Sequence, residues 1–239
     1  MNAPLIEHLS ELRNRIMVAL VTVFVVAVGL YCIKEPLLDF LVTPLADAQG
    51  GSATMISTGI GELFFVYIKL SFMGGVFITL PILLWQLWLF VAPGLYDNER
   101  KYVWPFLLAT PLLFYLGGAF TFFFVMPVVV KFFFGFSTDV VQQLPAVREY
   151  LSFLTRMIFA FGFAFELPIF MLVLLKFGAI NRSDVAKFRR YAYVIIFILA
   201  AFLTPPDPAS QLLLAVPLVL LFELSYFSAV MLKIGDAKS

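Results

Sequence analysis

Cysteine and histidine are almost missing from this 239-residue chain, and their scarcity removes whole classes of chemistry. Cys32 stands alone, so no disulfide can close within the chain and no thiolate metal site can be built. His8 is also single, which excludes a histidine-based metal cage. No glycine-rich phosphate loop, zincin motif or Ser–His pairing occurs, so an enzyme is not expected, nor a cofactor or a metal. Charge is scarce too. Only 13% of residues are charged, where a soluble domain carries roughly a quarter. Such a chain cannot cover itself with a hydrated surface and needs lipid as its solvent. The net charge of +1 gives no basic stripe to neutralise phosphates, so a nucleic-acid partner is not expected.

Long apolar runs fill the space that charge leaves. A helix needs about 20 apolar residues to cross the hydrocarbon core, where every backbone polar group must be satisfied internally. The first such run is Ile16–Ile33. Glu7, His8, Glu11, Arg13 and Arg15 crowd its start and no small-residue cleavage site follows, so it reads as a retained helix rather than a signal peptide. Lys34–Gly61, broken by Pro36, Pro44, Gly50 and Gly51, reads as an external loop with some local helix. A second span runs from near Leu63 to about Phe90, and a polar connection from Val91 to Lys101. The third lies between Tyr102 and about Met126, followed by an external segment Pro127–Ser152. The fourth runs from about Met157 to Leu175, and Gly178–Arg190 is a basic connection. Tyr191–Leu203 is short for a crossing, and Leu212–Leu232 returns after the turn Thr204–Pro208.

The expectation is therefore an all-α integral membrane protein of six transmembrane helices, the last two short, forming one domain over residues 1–239. Lysine and arginine set its orientation. One set of loops holds Arg13, Arg15, Arg100, Lys101, Lys176, Arg182, Lys187, Arg189, Arg190, Lys233 and Lys238. The other holds only Lys34, Lys131, Arg148 and Arg156. Both termini should be cytoplasmic.

Acids near that face are the first candidates for function. Glu11 precedes the first span and Glu99 sits in the first connection. Two carboxylates together at a membrane edge would make a site for a guanidinium, bound through paired hydrogen bonds. The plainer reading is that Glu11 pairs with Arg15 on its own helix and Glu99 solvates a loop. Glu166 lies among apolar residues before Pro168, at a depth where a charge costs about 2.5–3.5 kcal/mol. It reads as a polar docking point for a partner helix or as a protonated acid bonded inside the bundle. Lys69 reads as snorkelling, Glu62 as interfacial, and Glu223 as deep enough to need a partner that the sequence does not name. Trp85, Trp88 and Trp104 read as an interfacial belt, and Asn181 as a helix N-cap. A small ion-coupled transporter or channel, with Glu166 and Lys69 on an ion path, is the alternative these residues leave open.

Four motifs in order resemble one family. His8-Leu9-Ser10-Glu11-Leu12-Arg13, Phe90-Val91-Ala92-Pro93-Gly94-Leu95-Tyr96 with Glu99-Arg100, Phe161-Gly162 with Phe165-Glu166-Leu167-Pro168, and Leu203-Thr204-Pro205-Pro206-Asp207 with Gln211 are similar to those of TatC proteins. The resemblance spans nearly the whole chain. It implies a signal-peptide receptor and scaffold of the twin-arginine translocase in the bacterial inner membrane, exporting folded proteins on the proton-motive force. Recognition of Arg-Arg signal peptides would fall to Glu11, Arg13, Phe90, Leu95 and Glu99. Glu166 would face TatA-like and TatB-like single-span partners, and Pro44, Asp207 and Gln211 would serve assembly of an oligomeric complex.

Overall fold

The computed structural model of the protein describes residues 3–51, 53–91, 103–137, 143–176, 178, 180–204 and 208–231. Among them the fold is helical, and an isolated bridge between Ile56 and Ala146 is the extended pairing it contains. The helices are α1 (Ala3–Cys32), α2 (Lys34–Leu41), α3 (Thr43–Ala48), α4 (Glu62–Val91), α5 (Val103–Phe120), α6 (Met126–Phe134), α7 (Val147–Phe165), α8 (Leu167–Lys176), α9 (Arg182–Leu203) and α10 (Pro208–Met231). A π-turn, Thr121–Val125, joins α5 to α6. Among the described residues, five stretches are long and apolar enough to cross a membrane: Ser10–Cys32, Glu62–Phe90, Leu107–Phe134, Val147–Lys176 and Gln211–Met231.

Two expectations about boundaries are corrected. The third span does not end near Met126: helix continues through Pro127 to Phe134, and α7 starts at Val147, ten residues before Met157. Proline normally stops a helix because it lacks an N–H and its ring strikes the carbonyl four residues back. Here the preceding turn is wide, with the Met126 N–H bonding to the Thr121 carbonyl five residues back. A π-turn loosens the spacing where Pro127 enters, so the chain absorbs it. The second correction concerns Gly178–Arg190. Helix α9 begins at Arg182, capped by a reciprocal pair in which Asn181 and Asp184 satisfy each other's backbone N–H groups. Its apolar part is still only Tyr191–Leu203, about 20 Å at 1.5 Å per residue, against a core of roughly 30 Å. Helix α10, with 24 residues, is not short.

The described residues form two compact units. One contains Met1–Thr43, Met55–Pro111 and Pro145–Leu151; the other contains Pro44–Thr54, Leu112–Leu144 and Ser152–Ser239. In the first, α1 packs along α4. Lipid offers no hydrophobic drive between apolar helices, so association depends on close packing. Val23, Ala27 and Leu30 of α1 are buried, as are Val66, Leu70 and Leu80 of α4. Gly75 permits the approach, since a Cβ there would lie 3.0 Å from the Val23 carbonyl oxygen and 3.2 Å from the Ala27 Cβ. In the second unit, α10 packs on α8 and α9 around Met171, Ile196, Ala200, Leu214, Leu218 and Phe222. Gly117 is the tightest contact there. A Cβ on it would stand 2.5 Å from the Phe161 carbonyl oxygen and 2.9 Å from the Gly162 Cα.

Candidate functional site

Arg15 lies against Gln86, and Ala27 against Gly75, so α1 and α4 run antiparallel. The first turns of α1 therefore share one end with the last turn of α4. Glu11 and Phe90 both sit there, one turn beyond Arg15 and Gln86 respectively. Glu11 is half-buried and accepts from Arg15 Nη2 at 3.2 Å, while Arg15 Nη1 also donates to Gln86 Oε1 at 3.4 Å. The plainer reading of Glu11 is thus realised in its ground geometry. An (i, i+4) pair of this kind stabilises a helix by about 0.3–0.5 kcal/mol. Arg13 is exposed and Phe90 is half-buried. Leu95 and Glu99 lie outside the described residues, so the pairing of Glu11 with Glu99 is not described.

Glu166 sits in the break between α7 and α8. Its N–H bonds to the Phe163 carbonyl at 3.1 Å, three residues back, and its carbonyl accepts from Phe170 at 2.9 Å. Pro168 cannot donate, so the helix tightens and restarts around the acid. The residue is half-buried, and its Oε1 is shielded by protein. Pro44 is buried in the first turn of α3. Gln211 Nε2 donates to the Phe197 carbonyl at 3.0 Å, fastening α10 to α9. Asp207 lies outside the described residues.

Three features escaped the sequence. Gln86 was indistinguishable from any polar residue in a helix end. Glu62, read from the sequence as interfacial, is buried among protein groups. Its Oε2 accepts from the Thr58 N–H and hydroxyl, the Gly59 N–H at 3.1 Å and the Ser57 hydroxyl, while Oε1 accepts from the Arg148 N–H at 3.0 Å. The hydroxyl-rich Ser57-Thr58-Gly59 ahead of the helix is the signal that could have found half of this cradle. Beside it, Ile56 exchanges backbone bonds with Pro145 and Val147, at 3.1 and 3.0 Å. Glu223, finally, has its partners: Arg189 donates to both carboxylate oxygens, through Nε at 3.0 Å and through Nη2, and the Tyr193 hydroxyl donates to Oε1.

Comparison with known proteins turns this helical architecture into an assignment. The fold matches the crystal structure described as the twin-arginine translocase receptor TatC, with a TM-score of 0.83 and 34% identity over 95% of this chain and 99% of that one. A second crystal structure of the receptor, in DDM, gives 0.82 and 34% over 92% and 98%. The class is therefore that of multi-pass subunits of a protein translocase.

The family model "Sec-independent protein translocase protein (TatC)" matches residues 7–217, and the chain belongs to that family. The Sec-independent protein translocase protein TatC of Magnetococcus marinus is 45% identical over 94% of this chain and 83% of its own length. That of Escherichia coli O6:H1 is 38% identical over 94% and 87%. This is a Sec-independent, twin-arginine translocase component of the bacterial inner membrane, and it is not an enzyme.

Proposed function

We propose that this chain is the signal-peptide receptor and scaffold of its translocase, reading Arg-Arg signal peptides at the end where α1 begins and α4 finishes. The observation that carries this is the state of Glu11: half-exposed, and held by a side chain on its own helix that a better guanidinium can replace. Glu99 is the second carboxylate, and Arg13, Phe90 and Leu95 complete the patch. Two adjacent carboxylates favour two guanidiniums over two ammoniums, because the planar fork binds each carboxylate through paired bonds.

The rest of the reading follows from charge and depth. The chain forms one functional domain over residues 1–239 and crosses six times, with the apolar part of α9 as the short crossing. Its lysines and arginines put both termini in the cytoplasm. Glu166, in the break between α7 and α8, is where TatA-like and TatB-like single-span helices dock, and Pro44, Asp207 and Gln211 support assembly of the oligomer. Export of folded cargo through that assembly draws on the proton-motive force.

The test is direct binding of an Arg-Arg signal peptide and its Lys-Lys variant to the purified protein, with Glu11 and Glu99 intact or each changed to Ala. A preference for Arg-Arg that disappears with either glutamate supports the reading. Equal binding of both peptides by every form overturns it. Glu166→Gln is expected to leave peptide binding intact and to impair co-purification of the single-span partners; undiminished co-purification and transport would remove the docking role.

A further inference from the structure

Glu223 sits in α10, in a chain that is mostly apolar, yet it is among the most fully engaged side chains described. Arg189 holds both of its oxygens, Tyr193 donates to one of them, and the Arg189 guanidinium lies 5.0 Å from the Tyr226 ring centroid. Tyr193 in turn meets Phe222 edge to face at 6.2 Å. Arg189 and Tyr193 are one turn apart on α9; Phe222, Glu223 and Tyr226 lie together on α10. A second fastener, Gln211 to the Phe197 carbonyl, joins the same two helices at their other end. The fasteners are eight residues apart along α9, about 12 Å.

We infer that Arg189, Glu223 and Tyr193 form a clamp that fixes the axial register of α9 against α10, and so sets where Gln211 stands against Phe197. A planar guanidinium bridging both oxygens tolerates little sliding, because a one-turn slip of about 5.4 Å would break every bond at once. Apolar packing alone would permit such slippage between Ala200, Leu214 and Leu218, whose contacts carry no direction. Glu223 is thereby a positioning residue rather than a second docking acid beside Glu166. Its consequence for assembly rests on the proposed docking of single-span partners.

The experiment uses the full chain with the exposed Cys32 changed to Ser and spin labels at Leu199 and Leu212. Both labelled positions are exposed, and the distance between them reads the register. The parent should give one narrow distance. Glu223→Gln and Arg189→Gln should each broaden or shift it, the milder Tyr193→Phe should do so less, and the exchange Arg189→Glu with Glu223→Arg should restore it. Co-purified single-span partner should fall about fivefold in Glu223→Gln, as expected for a fraction of the cost of breaking an ion pair, and recover in the exchange. Unchanged distances in all single variants overturn the clamp. Should Glu223→Gln fail to fold, Tyr193→Phe and the exchange decide: a parent-like distance in the first, or none restored in the second, also overturns it. A broadened distance with undiminished partner upholds the clamp and counts against the docking reading instead.

Discussion

Glu11 and Glu223 invite direct comparison. Each is a glutamate paired with an arginine, and each is about a third exposed, 34% and 31% by side chain. Glu11 meets an arginine four residues along its own helix, so the bond it accepts does not itself tie two helices, although the same Arg15 also donates to Gln86 of α4. Glu223 meets an arginine 34 residues away on another helix, is held through both oxygens, and takes a third bond from a tyrosine. The same two side-chain types give a contact within one helix in one place and one between helices in the other. What separates them is which backbone carries the partner and how many donors converge, not burial.

The difference can be attacked at both ends. The largest effect is expected from Glu223→Ala, which should lower stability by about 2 kcal/mol. That is less than the 3–5 kcal/mol for breaking a fully buried pair, because both side chains keep some exposure. Thermal unfolding in detergent measures it, and a midpoint equal to the parent's would erase the contrast. Arg15→Gln should raise affinity for an Arg-Arg peptide about twofold, the release of a competitor worth about 0.4 kcal/mol. Weaker binding would mean that Arg15 assists recognition instead of competing with it. Glu11→Gln should move the unfolding midpoint least, by the equivalent of no more than about 0.5 kcal/mol; a larger loss would make Glu11 structural.

Much of the fold is legible in the sequence because lipid imposes a simple demand, a long apolar helix with its backbone satisfied. The Asn181 cap and the Glu11–Arg15 pair could be read as well, since both are local contacts with fixed spacing. The failures are places where a local rule meets a non-local fact. Pro127 looked like a stop because nothing in the letters announces a wide turn five residues long before it. Arg182–Arg190 looked like a connection because its charges outweigh its helical spacing; burial of Val185 and Ala192 on one face only makes sense once α9 has neighbours. Glu223 could be flagged as needing a partner, but Arg189 had been placed in a loop. The cradle around Glu62 takes a donor from residue 148, and no window along the chain contains both ends.

That cradle bears on the order in which the protein is made. The bond between Glu62 and the Arg148 N–H links residues 86 apart, so it cannot exist until α4, α5 and α6 have been synthesised and the chain has begun α7. Until then Glu62 has only the Ser57–Gly59 turn to hold it, and its second oxygen must keep its water. Closing the cradle is thus a late event in biogenesis, one that ties the start of α4 to the start of α7 after the helices between have been inserted. A nascent chain arrested before residue 148 would present Glu62 without its Arg148 donor.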